Sequence, residues 1–446
     1  MNWTGTVWSR LRRSQIVDNA VALYILQFAN CLLPLITVPY VVRVLTPSGY
    51  GLGAFALSFA GLFGTVADYG FNLSASRAIS VKRSDRREVS RIATHVMSTK
   101  AVMLVACAGV FVLLTSAIPR LEGNKLVMWM SFLQVAMVSL TPFWLYQGLE
   151  ELRFSSRVNL AVRLSYVPAL FLWVHRPGDV WKWMLLQAVV ATAAAAVLWT
   201  HAHLHLGVVW TRVHWVDLRA QLREGFSLFI SQAAVKAYTG GNTFILGMFT
   251  SLTVAGYYSV AEKVVQAVLS LLGPVMQAVY PRASQLAALS REAALRFTRK
   301  LLMLMGTVGL TMSLGVLVAA PWLAPIVLGA RFLPSITIMQ ILSPLPFLIA
   351  LSNVFGIQVM IPFKQDTWVA VILVAAGLFN VAAASILAPH WQGNGMAVSV
   401  TFSEVLVTAS MFLCVRRVGL LPVRRIKPEV LTDGGNSRTC PKPARS

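Results

Sequence analysis

The chain has 446 residues, 57% hydrophobic and only 12% charged, whereas ordinary soluble domains carry about a quarter charged residues. So much apolar sequence exceeds the needs of a soluble core and predicts an all-α, polytopic membrane protein. The net charge of +22 does not mark a nucleic-acid partner, because the basic residues are spread between apolar runs rather than gathered on a soluble domain.

Arg10, Arg12 and Arg13 precede an apolar stretch over 20–42. That stretch is too long for a signal-peptide core and reads as a retained first span. A helix crosses the hydrocarbon with about 20 apolar residues. On that measure about twelve runs follow in order, at roughly 18–42, 51–70, 93–118, 126–148, 158–175, 181–204, 226–249, 255–280, 301–329, 335–361, 368–388 and 395–415. The connections are short, and no loop is long enough to house a catalytic domain. The segment 419–446, rich in Pro, Gly and charge, is expected to be a flexible tail.

Of the 38 Lys and Arg, roughly 28 fall in the N-terminal segment, alternate loops and the C-terminal tail, against about 6 on the other side. The asymmetry places both termini in the cytoplasm, with the basic residues beside an anionic leaflet.

Two stretches resemble each other: "VLTPSGYGLGAFALSFAGLFGTVADYGFNLSASRAIS" and "FTSLTVAGYYSVAEKVVQAVLSLLGPVMQAVYPRASQLA". Each has a short turn, a Gly-Tyr pair (Gly49-Tyr50, Gly256-Tyr257), one span, then an aromatic, serines and an arginine. The repeat sets span 8 against span 2 and divides the chain into lobes 1–210 and 211–418. Such repeats are common in secondary transporters, whose substrate site lies between them; the alternative is that two interfacial turns look alike because turns favour Gly and Tyr.

Charges inside spans are costly unless they snorkel, pair or face water. Lys236 is central in span 7, about 15 Å from the cytoplasmic end at 1.5 Å per residue, and Gly240-Gly241 follows to loosen the helix. Lys263 and Glu262 lie nearer the outer end of span 8, about 100° apart, so they do not pair with each other. Glu404 is central in span 12. Arg163 and Lys100 sit a turn or two from the cytoplasm, where snorkelling and cavity lining are equally open. Asp68, at the end of span 2, is expected to partner Arg77 or a helix terminus. The balance is cationic, which suits an anionic substrate. Gln27, Asn30, Gln232, Asn242, Asn353 and Asn380 offer neutral hydrogen bonds, to a substrate or to neighbouring helices.

The chain has no G-x-x-x-x-G-K-[ST], H-E-x-x-H or G-x-S-x-G. His201, His203 and His205 alternate, which does not place them on one helical face, so no metal is expected. Cys31, Cys107, Cys414 and Cys440 show no paired spacing. No cofactor is expected.

The stretches "LYILQFANCLLPLITVPYVVRVLTPSGYGLGAFALSFAGLFGTVADYGFNLSASRAIS" and "FSLFISQAAVKAYTGGNTFILGMFTSLTVAGYYSVAEKVVQAVLSLLGPVMQAVYPRAS" resemble the Wzx-type polysaccharide flippases of the multidrug/oligosaccharidyl-lipid/polysaccharide exporter superfamily. The one departure is Thr46, where that family usually has glycine, and it is expected to matter little. The resemblance implies two six-helix lobes around a cationic cavity. It implies transfer of an undecaprenyl-pyrophosphate-linked oligosaccharide across the bacterial inner membrane by alternating access, coupled to an ion gradient. The cavity role would fall to Lys236, Lys263, Arg163 and Lys100, with Glu262, Glu404 and Asp68 as coupling or structural acids. A polysaccharide polymerase and a chain-length regulator would be partners. Rival readings are a drug or metabolite antiporter of the same fold, a lipid II flippase, and a membrane glycan polymerase, which would need a larger outer loop.

Overall fold

The computed structural model describes residues 3–213 and 215–420, with side chains described from 33 onward apart from scattered positions at 35, between 216 and 238, and at 278. The side chains of Gln27 and Asn30, and the tail beyond 420, lie outside this set.

The helices run in order α1 (Trp3–Asp68), α2 (Phe71–Lys82), α3 (Arg86–Ala117), α4 (Pro119–Glu122), α5 (Lys125–Leu140), α6 (Phe143–Gly148), α7 (Leu152–Trp173) and α8 (Val180–Leu204). After a linker come α9 (Trp215–Gly240), α10 (Asn242–Phe249), α11 (Leu252–Leu269), α12 (Leu272–Leu289), α13 (Arg291–Leu323), α14 (Ser335–Leu342), α15 (Leu345–Asn353) and α16 (Asp366–Arg417). Two π-helical segments, Ala324–Leu328 and Val354–Met360, continue α13 and α15. The described residues contain no strand. Helices satisfy their own backbone groups, which is what a chain crossing hydrocarbon requires.

Among the described residues, eight helical stretches are long and apolar enough to cross a membrane. The twelve expected runs reduce to this number for two reasons. First, α1 and α16 each join two runs. Thr46 (φ 66°, ψ 164°) breaks α1, and Gln392 (φ 52°, ψ −131°) breaks α16. Second, the run at 158–175 forms the more polar α7, and the run at 226–249 divides into the more polar α9 and the short, apolar α10. Gly240-Gly241 ends α9, as the glycine pair foretold. Ser58 Oγ straddles this break, donating to the Gly240 carbonyl at 2.6 Å and accepting from the Phe244 N–H at 3.1 Å.

Lipid removes most of the hydrophobic drive between helices, so close packing must hold them. The two repeated turns meet there. A Cβ on Gly51 would lie 1.8 Å from the Leu252 carbonyl oxygen, and one on Gly256 would lie 2.1 Å from the Pro47 oxygen. Only glycine lets α1 and α11 approach so closely. An aromatic column continues the join: Phe59 stacks on Phe111 at 5.1 Å and on Phe244 of α10 at 4.8 Å. At the end away from the basic loops, Arg43 donates to the Ile326 carbonyl and Arg120 Nη1 to the Met248 carbonyl at 3.1 Å. Toward the basic end, Tyr69 stacks on Phe229 of α9 at 4.6 Å and donates to the Leu222 carbonyl at 3.0 Å.

Candidate functional site

Two cavities matter, one in each lobe. The first, of about 510 Å³, opens among α1, α2 and α5–α8. Arg163 of α7 lines it and is exposed to it. The polar face continues with Asn159, one turn earlier on α7, with Gln134 of α5 and Gln187 of α8, and with Asp68 and Asn72. Tyr166 adds a hydroxyl held by the Trp183 indole N–H at 3.0 Å. Phe143 and Trp144 contribute aromatic surface. A guanidinium, several amides and aromatic rings in one hollow suit a ligand with anionic oxygens and many hydroxyls.

Asp68 is not a partner of Arg77. Its Oδ1 accepts from Lys100 Nζ at 2.8 Å and from Ser139 Oγ at 2.7 Å. Lys100 is fully buried and also donates to the Ser139 carbonyl at 2.9 Å. Its charge is therefore spent on the cavity-lining Asp68 carboxylate rather than presented to a ligand. Sequence spacing hid this because the partners sit on α1 and α3, helices that only the tertiary fold brings together.

The second cavity, of about 390 Å³, lies in the other lobe among α9–α11 and α14–α16. Glu262 and Glu404 both line it. Glu262 accepts the Tyr258 hydroxyl at 3.1 Å, and Glu404 accepts the Ser352 hydroxyl at 2.8 Å. Asn242 and Asn353 line the same cavity, and Asn380 Nδ2 donates to Asn242 Oδ1 at 2.8 Å. Ser399 Oγ donates to Asn380 in turn. The helical step that separates neighbours puts Glu262 in this cavity and leaves Lys263 exposed outside it. Lys236 is exposed on α9, with Gln232 half-buried one turn before it. Neither lysine lines either cavity, so the structure does not gather the four intramembrane cations into one site.

Among the described residues no group of three or more metal-ligating side chains exists. His201 instead stacks on His205 at 4.7 Å and on Phe154 at 3.6 Å. Sequence reading passed over Gln134, Asn159, Tyr166 and Gln187. Their only signal is polarity within an apolar run, which most helix-to-helix contacts share.

The architecture, two helical lobes each enclosing a polar cavity within apolar helices, is that of a multi-pass membrane transporter. The closeness of relatives fixes the family. Residues 16–287 match the family described as "Polysaccharide biosynthesis protein", and the chain belongs to it. A protein of Escherichia coli (strain K12) named "Putative O-antigen transporter" is 32% identical over 90% of this chain and 97% of its own length. A protein of the same name in Shigella dysenteriae is 24% identical over 89% of this chain and 99% of its own. Among solved structures, a lipid II flippase, MurJ, in an inward closed conformation shares the fold with a TM-score of 0.64 at 11% identity, over 90% of this chain and 87% of that one. So does an inward-facing multidrug resistance MATE family transporter of the MOP superfamily, with a TM-score of 0.60 at 14% identity, over 89% and 98%.

Proposed function

We propose that the protein is a flippase, not an enzyme. It moves an undecaprenyl-pyrophosphate-linked oligosaccharide repeat unit from the cytoplasmic to the periplasmic leaflet of the bacterial inner membrane, by alternating access of lobes 1–210 and 211–418. Both termini and the tail 419–446 are cytoplasmic in this reading. A polysaccharide polymerase and a chain-length regulator receive the product.

The observation that carries the reading is Arg163, exposed in a cavity whose lining also includes amide side chains, aromatic rings, an aliphatic wall and the Lys100-paired Asp68. A guanidinium matches paired phosphate oxygens with two parallel N–H donors. It rests inside a transmembrane lobe, where an unused charge is costly. The amides suit sugar hydroxyls. Lys236 and Lys263, exposed on α9 and α11, add cationic character on the other lobe. Glu262 and Glu404 are the acids placed to take up a coupling ion. A cationic-drug antiporter of this fold would want free acids where the drug sits; here Glu262 and Glu404 occupy the other cavity, and the acid beside Arg163, Asp68, is already paired with Lys100.

The test is export of glycan by Arg163 variants in a strain lacking the chromosomal copy. R163A should cut surface polymer about 100-fold at unchanged protein level, as expected for a lost charged contact of roughly 3 kcal/mol. R163K should retain about a tenth of wild-type export, since a lysine keeps the charge and loses the fork. Normal polymer from R163A would refute the assignment.

A further inference from the structure

We infer that Gln134 and Gln187 form a recognition site for a secondary amide, the acetamido group of an N-acetylated sugar within the flipped repeat unit. The inference deepens the flippase reading and rests on it.

The two side chains meet across the first cavity's wall, where Gln134 Nε2 donates to Gln187 Oε1 at 3.2 Å. That single bond leaves a remainder. Gln134 Oε1 and Gln187 Nε2 are both shielded from solvent without a partner. Interchanging oxygen and nitrogen in both amides reverses the bond but leaves the same remainder, one acceptor and one donor. Buried polar groups nearly always find partners, so two unmatched atoms on neighbouring side chains beside a cavity mark a missing one.

The partner must give an N–H and take an N–H. A phosphate or carboxylate offers acceptors alone. A secondary amide offers one of each, spaced across a peptide-like unit. The surroundings of Gln187 add a third feature. Val190, Ala191 and Ala194 lie three, four and seven residues further along α8, on the same helical face, and line the same cavity. Such a small apolar strip receives a methyl group. Donor, acceptor and methyl together describe an acetamido substituent, whereas a sugar hydroxyl would leave the strip unused. Because the unmatched atoms are turned from solvent, both glutamines swing about their side-chain bonds to take the ligand.

The experiment measures binding of two probes to the full chain in lipid nanodiscs by calorimetry: farnesyl pyrophosphate-linked N-acetylglucosamine, and the same compound carrying glucose. Wild type should prefer the acetamido probe about tenfold or more, the discrimination expected from one matched polar group. Q134M and Q187M should each bring the ratio within about twofold, with the acetamido probe losing the larger share of its affinity. Q134L and Q187L serve if the methionine variants do not fold. Equal binding of the two probes by wild type, or a tenfold preference surviving in the variants, overturns the inference and leaves the flippase reading standing. If neither probe binds, the flippase reading and the inference fall together.

Discussion

Lys100 and Asp68 show how a charge inside a lobe is tolerated. Lys100 is fully buried, while the Asp68 side chain keeps about a third of its surface exposed. Removal of the two partners should therefore be unequal. D68A strands an ammonium with no access to water and should cost about 3–5 kcal/mol. K100M leaves a carboxylate that still reaches the cavity and keeps the Ser139 hydroxyl, so it should cost less, about 1–3 kcal/mol. The double variant should recover most of the D68A loss. Thermal unfolding of the three purified variants measures this, and equal single losses would show that the burial asymmetry does not govern the pair. Outside the spans, Asp179 fixes the turn before α8. The Lys182 ammonium, hydrogen-bonded at 2.8 Å, and the backbone N–H groups of His175 and Arg176 hold its carboxyl at about 2, below the ordinary 3.8. A depressed folded-state pKa contributes stability above the ordinary value and loses it as pH falls through the folded one. D179N should thus lower the Tm at pH 7, and the gap to wild type should narrow between pH 4 and pH 2. A constant gap across that range would show that the charge plays no part. Residue types at this scale were legible in the sequence, since every intramembrane charge stands out against apolar neighbours. Their partners were not, because Lys100 and Asp68 are 32 positions apart and no helical period links them.

At the scale of elements, the helices follow the apolar runs closely, because period and length survive in any membrane helix. The joins were harder to read. Thr46 was expected to be a harmless replacement for glycine, yet it holds φ 66° and ψ 164°, a region that L-residues other than glycine enter at about 1–3 kcal/mol. T46G removes that strain and adds unfolded-state entropy of about 0.5–1 kcal/mol. The net expectation is a gain near 1 kcal/mol, read as a raised Tm of the purified protein. A lowered Tm would mean that the Thr46 side chain supplies contacts worth more than the strain. The repeated Gly-Tyr turns were visible as similar letters. That their helices touch through Gly51 and Gly256 depends on how two distant segments dock. The α7 and α9 helices were recognised as helices, and their polarity, which weakens them as spans, supplies the cavity's Arg163 and Asn159 and the exposed Lys236.

For the whole molecule, the contacts of Arg43 and Arg120 at the end away from the basic loops, the glycine crossing and the aromatic column tie the lobes together, while each lobe keeps its own polar hollow. Composition was enough to expect a polytopic helical bundle, the internal repeat and the family resemblance pointed to two lobes, and the charges within the spans gave the cationic bias. The division of labour between hollows, amides and Arg163 in one, Glu262 and Glu404 in the other, needed the fold, because helix rotation decides which neighbour faces inward. The central claim is that the molecule moves a lipid-linked glycan between leaflets. Its most direct test is to delete the gene in its host and determine which leaflet holds the lipid-linked repeat units. We expect loss of surface polymer with single repeat units trapped in the cytoplasmic leaflet, reversed by the wild-type gene and not by R163A. Loss of polymer with repeat units already delivered to the periplasmic leaflet would contradict the account, since translocation would then be intact and the protein would act at a later step.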